Sequence, residues 1–543
     1  MAGCPIKTRA SGKDAPPCRR WLDRGTPRSL LWIAALTAAL LSVPVVYVLI
    51  GAARGDREIW VRVLTGRLPP LLWSTARLML AVTGASAVIG SVLAFLVVRT
   101  DMPGRRHFRW LLAMPLAVPP YVGALSYLMI FGPGGWIRER TGWTLFPVYD
   151  SLFSIAFLLT LFCYPYVYLI VMAALQRMRH SYIETAQSCG ISRACMVFSV
   201  FLPLLIPAIG SGALLVALYV LSDFGAVAML RYDTFVSAIY YQIEGRFDRT
   251  GAAILSTMLI LMTFILMGLQ RAGRNQRGDP SGAADRRIGE PFGLKRWRLP
   301  AAAFAAAVLA LSVAVPVGVL CVWSWRGIAG GALSPAFWNY TLNSLGVAAM
   351  AAIGCMAVTL PFVYIHSRYP SMLSRLLNGI AFAGYALPGV VVALGVVFFF
   401  HRFLPALYAT LVMIVFAHFM RFLPQSLSVG AAALAHIPST LDEAARSLGD
   451  SPARALHRVI YPLMTPSLIT GGTLVFVSSL KELPATLLLR PAGFDTLSVR
   501  VWIEAGEGFY DMAAPAALLI VAAAAFPVKY VMDFYAEKQV IHG

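Results

Sequence analysis

Few residues in the apolar stretches of this chain could do chemistry, and the most informative are two acids. Asp223 and Glu482 stand 259 positions apart, each at the end of an apolar run. Two carboxylates related in this way would offer hard oxygen ligands to a hard cation on a pseudo-twofold axis. Each could equally be an interfacial carboxylate partnered by Lys481 or by water, and the spacing leaves both readings open. Arg421 lies inside the run 407–430 and must face protein or a water-filled interior. Its counterpart 259 positions upstream is Phe162, so this cation is not part of a symmetric design. Tyr121 and Tyr385, beside Pro119-Pro120 and Pro388, are placed either to line a pathway or to pack as aromatics.

Catalytic constellations are missing. The eight histidines are scattered, and no CxxC or Cys/His metal spacing or nucleophile elbow occurs, so no catalytic residue and no firm metal ligand is assigned. Cys189 and Cys195 flank a predicted cytoplasmic segment, where disulfides are disfavoured. The phosphate-cradling pattern G-x-x-x-x-G-K-[ST] is absent; its nearest fragment, Gly12-Lys13, is followed by Asp14 and has no glycine five residues upstream. This chain therefore binds no cofactor of its own, and any ATP is used by a partner.

A second set of residues repeats at the same interval. Glu184-x-Ala186-x-Ser188-x-Gly190 is followed by Pro203 and Pro207, and Glu443-x-Ala445-x-Ser447-x-Gly449 by Pro462 and Pro466. Residues 181–189 and 440–448 favour helix, opening at Ser181 and Thr440 with an acid three residues on, a capping box. Gly190 and Gly449 then allow a left-handed helix ending, and Ser192 and Ser451 cap a second short helix. Each copy reads as a helix–turn–helix rimmed by Arg193, or by Arg446 and Arg454. One copy would pass for an ordinary interfacial turn; two at matched positions would not.

The elements that hold these residues are apolar helices. Of 543 residues, 59% are hydrophobic and only 13% charged, far below the quarter usual in soluble domains. About twelve runs are long enough to cross a bilayer: 29–51, 74–98, 109–132, 151–173, 197–221 and 252–269, then 301–323, 342–365, 377–400, 407–430, 459–479 and 513–533. The fold class is an all-α polytopic membrane protein of two six-helix repeats. A net charge of +20 would fit nucleic acid, but its distribution excludes that partner. The positive charge gathers in the tail 1–28, in the segment 271–298 and in short connections on one side. That asymmetry places both termini in the cytoplasm. The segment 52–73, with four arginines and two acids, runs against it. Residues 1–51 read as a retained helix rather than a cleaved signal, since the apolar stretch is too long and no clear cleavage site follows.

The repeat extends further. Pro165 matches Pro424, Ala173-Ala174-Leu175 matches Ala432-Ala433-Leu434, and Arg231 matches Arg490, all at 259. Pro103 and Pro119 match Pro370 and Pro388 at 267–269. The domains follow: a basic tail 1–28, a first half 29–270, a linker 271–298 and a second half 299–543. An even number of spans per half makes the repeat parallel, whereas inverted-repeat secondary transporters have odd-numbered halves.

The paired segments resemble the EAA loop of ABC importer permeases. The second copy reads Glu443-Ala444-Ala445 in full; the first departs as Glu184-Thr185-Ala186, which suggests two similar but non-identical sockets. The resemblance covers about 71–270 and 340–533, each as a type-I importer transmembrane domain. The tract Lys481-Glu482-Leu483-Pro484-Ala485-Thr486, continuing to Arg490-Pro491 and Phe494-Asp495-Thr496-Leu497, is similar to fused permeases of ferric iron importers. So is Leu221-Ser222-Asp223-Phe224-Gly225. Permeases for thiamine, phosphonates, sulfate and spermidine share the architecture. The resemblance implies a bacterial inner-membrane permease, two ABC ATPase subunits on the loops, and a periplasmic binding protein outside. A secondary transporter, needing no twin docking loops, and a membrane-embedded enzyme are the rival classes.

Overall fold

The computed structural model describes residues 28–142, 147–178, 185–186, 188–190, 192–275 and 292–541. Among these the regular elements are helical, with one isolated backbone bridge between Thr100 and Phe292. The twelve apolar runs all fall on helices. Nine helices among the described residues are continuous and apolar enough to cross a membrane. In the first half they are Ser29–Ala53, Arg57–Arg99, Leu152–Arg177, Val197–Ser222 and Arg249–Gln270. In the second they are Lys295–Ala329, Pro335–Arg368, Leu411–Ala435 and Pro452–Leu480. The last run begins the helix Tyr510–Ile541.

The third run of each half departs from expectation. Both 109–132 and 377–400 read as single spans, yet each is broken at its proline. Val118 and Leu387 are extended, at ψ 116° and 129°, immediately before Pro119 and Pro388. A proline ring crowds the preceding residue out of the helical region and supplies no N–H, so the chain turns. In the first half the bend between Arg105–Ala117 and Pro120–Thr141 is 89°. In the second, Met372–Ala386 gives way to Gly389–Phe403.

The leading helix of each half packs on the other half's broken segment. Helix Arg28–Ala53 lies against Gly389–Phe403, where Gly395 meets the Pro44 backbone and Tyr47 meets Phe403 edge-on at 5.4 Å. Correspondingly, Tyr127 donates to the Leu311 carbonyl at 2.8 Å and Trp136 stacks on Trp323 at 6.3 Å. The halves are thus strapped to each other at two equivalent places.

Each fifth span opens with one wide turn. Leu202 N–H reaches back five residues to the Val197 carbonyl, and Tyr461 N–H to that of Leu456. Pro203 and Pro462 follow at once. The wide turn makes room for a ring that would collide with a normal preceding turn, and such π-turns recur at functional positions. The tail 1–27 and the linker core 276–291 lie outside the described residues. The linker's end does not hang free: Phe292 N–H donates to the Arg99 carbonyl at 2.8 Å and Leu294 N–H to Asp101 at 2.8 Å.

Candidate functional site

Two layers hold the candidate residues. In the first layer, helix Thr440–Ser447 carries Glu443, Ala444 and Ala445. Asp442 and Glu443 occupy its first turn, where the amide dipoles favour negative charge. The expected capping box does not form in this copy. Ser439 rather than Thr440 stands at the cap, and it makes no side-chain cap bond. Its backbone is already helical (φ −65°, ψ −19°), whereas a capping residue needs an extended backbone to aim its hydroxyl at the first amides.

The helix ends as glycine allows. Gly449 adopts φ 95°, its N–H donates to the Arg446 carbonyl at 3.0 Å, and Asp450 N–H donates to that of Ala445 at 3.1 Å. These two bonds form a Schellman ending, which a β-carbon at Gly449 would strain. Gly190 takes the same conformation at φ 72°. Ser451 then caps the next turn through Arg454 N–H at 3.4 Å, and Ser192 does so through Cys195 N–H at 3.3 Å.

Ala186 and Ala445 are buried at equivalent positions, while Ala444, Gly190 and Gly449 are exposed. Leu448 is 90% exposed at the apex, an apolar side chain presented beyond the helix end. Ser181 and Glu184 lie outside the described residues.

Asp442 was not legible as a site residue. It forms an ion pair with Arg368 at 2.7 Å and accepts from the Tyr364 hydroxyl at 3.5 Å. Burial lifts its carboxyl above the ordinary carboxylate range, with Arg368 pulling the other way.

In the second layer, just past the fifth spans, Asp223 and Glu482 do the same backbone work. Asp223 Oδ2 accepts from the amides of Ala226 at 3.1 Å and Val227 at 3.4 Å, capping helix Gly225–Met229. Glu482 Oε1 accepts from Ala485 N–H at 3.2 Å, capping Pro484–Leu489. Each carboxylate sits at a helix N-terminus, where unpaired amides attract an anion.

Their other partners differ. Glu482 is ion-paired with Arg421, and Arg421 also lies within electrostatic range of Asp223. Lys481 Nζ crosses between the halves to the Leu116 carbonyl at 3.0 Å rather than pairing with an acid. His418, buried beside them, bonds Ser479 at 2.6 Å and Thr486 at 2.9 Å. Glu482 is thus matched by Arg421, and both carboxylates are engaged by backbone amides.

The proline breaks close this cluster from both sides. Gly389, immediately after Pro388, is pressed against Arg421, Glu482 and Pro484, so any β-carbon there would collide with the ion pair. In the first half Tyr121 packs on Gly225, the first residue of the helix that Asp223 caps. The Tyr121 hydroxyl is buried without a hydrogen-bond partner and lies within electrostatic range of Glu482. Tyr385 falls in the helix Met372–Ala386, and its side chain is outside the described residues. The structure therefore brings Tyr121, Asp223, Arg421 and Glu482 together. The Arg421–Glu482 pairing, the reach of Lys481 to Leu116 and the bonds of His418 escaped sequence reasoning, because only the fold sets these segments side by side.

Comparison with known sequences agrees with this architecture. The family described as "Binding-protein-dependent transport system inner membrane component" matches twice, at residues 86–273 and 362–538. The Fe(3+)-transport system permease protein FbpB 2 of Haemophilus influenzae is 29% identical over 534 residues, covering 95% of this chain and 100% of the relative. The ferric transport system permease protein FbpB of Actinobacillus pleuropneumoniae is 25% identical over 477 residues, 81% of this chain and 68% of that protein. A probable sulfate transport system permease protein cysT of Marchantia polymorpha is 23% identical over 234 residues, covering 41% of this chain and 80% of its own length.

Proposed function

This chain belongs to the family of binding-protein-dependent transport system inner membrane components, and from that premise we propose that it is the fused permease of an ATP-driven ferric iron importer. The observation that carries the reading is the pair of glycine-ended cytoplasmic loops at equivalent places, each feeding a proline-marked fifth span through a wide turn. Two ATPase subunits clasp the loops around Glu184–Gly190 and Glu443–Gly449, and both termini lie on that cytoplasmic side. A periplasmic binding protein delivers the cargo to the opposite face. ATP binding draws the loops together and rocks the halves apart at the outer face; hydrolysis by the partner subunits resets them. Iron is the cargo favoured by relatives that align over 95% and 81% of this chain.

In this reading Asp223, Glu482, Tyr121 and Tyr385 line the route at the midline. Asp223 and Glu482 shape it by fixing the short helices, and the break at Pro388-Gly389 seals it over the Arg421–Glu482 pair. Opening the route separates that seal. Replacing both acids, Asp223→Asn with Glu482→Gln, slows iron uptake in correctly assembled protein; unchanged uptake removes them from the route.

The docking assignment is tested by Gly190→Pro with Gly449→Pro. The expected outcome is loss of ATPase co-purification and of iron uptake in a normally inserted chain. Retained association would refute it. An oxyanion cargo is the second reading, favoured by the match of 41% of this chain to a probable sulfate transport system permease. Uptake of radioactive iron against radioactive sulfate into the same vesicles separates the two.

A further inference from the structure

Both second spans end in an arginine that reaches the chain entering a docking loop. Arg99 Nη2 donates to the Leu175 carbonyl at 2.7 Å and lies 3.5 Å from that of Met178. Arg368 Nη2 donates to the Ile437 carbonyl at 2.7 Å, and Ile437 is the 259-position counterpart of Met178. Beyond this shared clasp the two sites diverge. Arg368 uses its remaining edge on Asp442, inside the docking helix itself, and the two side chains are only 16% and 9% exposed. The counterpart of Asp442 is Ile183, which offers no charge. Arg99 instead lies over the Phe201 ring at 5.6 Å, and Phe201 packs with Phe95 and with Phe292 from the linker, at 5.6 and 5.8 Å.

We propose that Arg368 and Asp442 are a positioning pair that makes the second docking loop and the second span of that half move as one body, so that the two ATPase strokes act on unequal levers. The physical reason is the cost of separation. Pulling a buried ion pair apart leaves two uncompensated charges, so displacement of the loop is carried into the span instead of being lost between them. Contacts made by aromatic rings have no such directional penalty, and in the first half Ile183 puts no acid at the position equivalent to Asp442 to lock to Arg99. Tyr364, one turn before Arg368, holds the same carboxylate from its other side.

The inference rests on the docking reading above, and the experiment keeps the two apart. The whole chain is purified with its ATPase subunits, reconstituted with the binding protein, and read as Fe(III) moved per ATP hydrolysed by each assembled complex. If the unaltered complex moves no Fe(III), the cargo reading is at fault, and the ratio of binding-protein-stimulated to basal hydrolysis is read instead. Asp442→Asn, nearly isosteric, lowers the ratio about tenfold, a typical size for lost coupling between sites. Asp442→Glu keeps the charge and restores most of it. A merely structural pair would change the yield of complex and leave the ratio per complex unaltered. An unchanged ratio in Asp442→Asn, a Glu variant as poor as the Asn variant, or failure of the Asn variant to assemble with the ATPase overturns the proposal. Retained association in the Gly190→Pro, Gly449→Pro chain would overturn the docking reading itself, whatever the ion pair does.

Discussion

The two halves of this chain agree in their backbone and disagree in their charges. Gly190 and Gly449 share a left-handed turn, Ser192 and Ser451 share a cap, and the wide turns at 197–201 and 456–460 are superimposable in sequence position. The breaks before Pro119 and Pro388, and the carboxylate caps at Asp223 and Glu482, repeat as well. Against this, Arg421, His418, Lys481 and Asp442 face Phe162, Leu159, Ser222 and Ile183 in the first half. The backbone devices are required twice because each half must make the same path through the membrane. A charge in that low-dielectric interior needs only one good partner, so supplying it from one side suffices. The machinery is therefore symmetric in shape and lopsided in electrostatics.

Breaking the lopsided part should cost most. Arg421→Met strands the buried Glu482 carboxylate, and the expected loss is about 3–5 kcal/mol, seen as a large drop in melting temperature of the purified protein. Its first-half counterpart sharpens the contrast: Phe162→Leu, which strands no charge, should cost about 1 kcal/mol in the same assay. A loss as large as that of Arg421→Met would show that the site is set by packing rather than by charge.

Gly389→Ala tests whether the second break sits on the ion pair as described. Its β-carbon would push Arg421 and Glu482 apart, an overpacking penalty of about 1–3 kcal/mol that appears as lower thermal stability. Ala substitution at Gly379, where open space surrounds the new atom, should leave stability intact. Asp223→Asn keeps an acceptor at the helix N-terminus and removes only the charge, so about 0.3–1 kcal/mol is expected at that cap. Gly449→Ala is a similarly small change, about 1 kcal/mol from forcing a β-carbon into the left-handed region, measurable as a modest melting shift.

Much of the fold was legible because membrane insertion imposes local rules. Apolar runs of bilayer length and the repeated glycines and prolines are properties of the chain read in order. The glycine-ended turns at Gly190 and Gly449 were legible for the same reason, since glycine at a helix end announces the turn it permits. The broken third runs were not. Pro119 and Pro388 stood in plain sight, but a membrane helix also tolerates proline as a mild kink. Here the extended residue is kept because its neighbours pack against it: Tyr121 on Gly225, and Gly389 on the Arg421–Glu482 pair.

The acids mark the division most clearly. Sequence alone determined that Asp223 and Glu482 are equivalent, that they end the fifth spans, and that Arg421 has no twin. It left open whether the carboxylates face a cargo or the protein. The tertiary structure decided that each caps the helix that follows it and that Glu482 takes Arg421 as its counterion, a pairing across 61 residues between two different spans. Spacing fixes which groups a helix carries and at which of its ends they stand. Which charge meets which depends on how the helices pack, because a buried carboxylate must find its partner in space rather than along the chain.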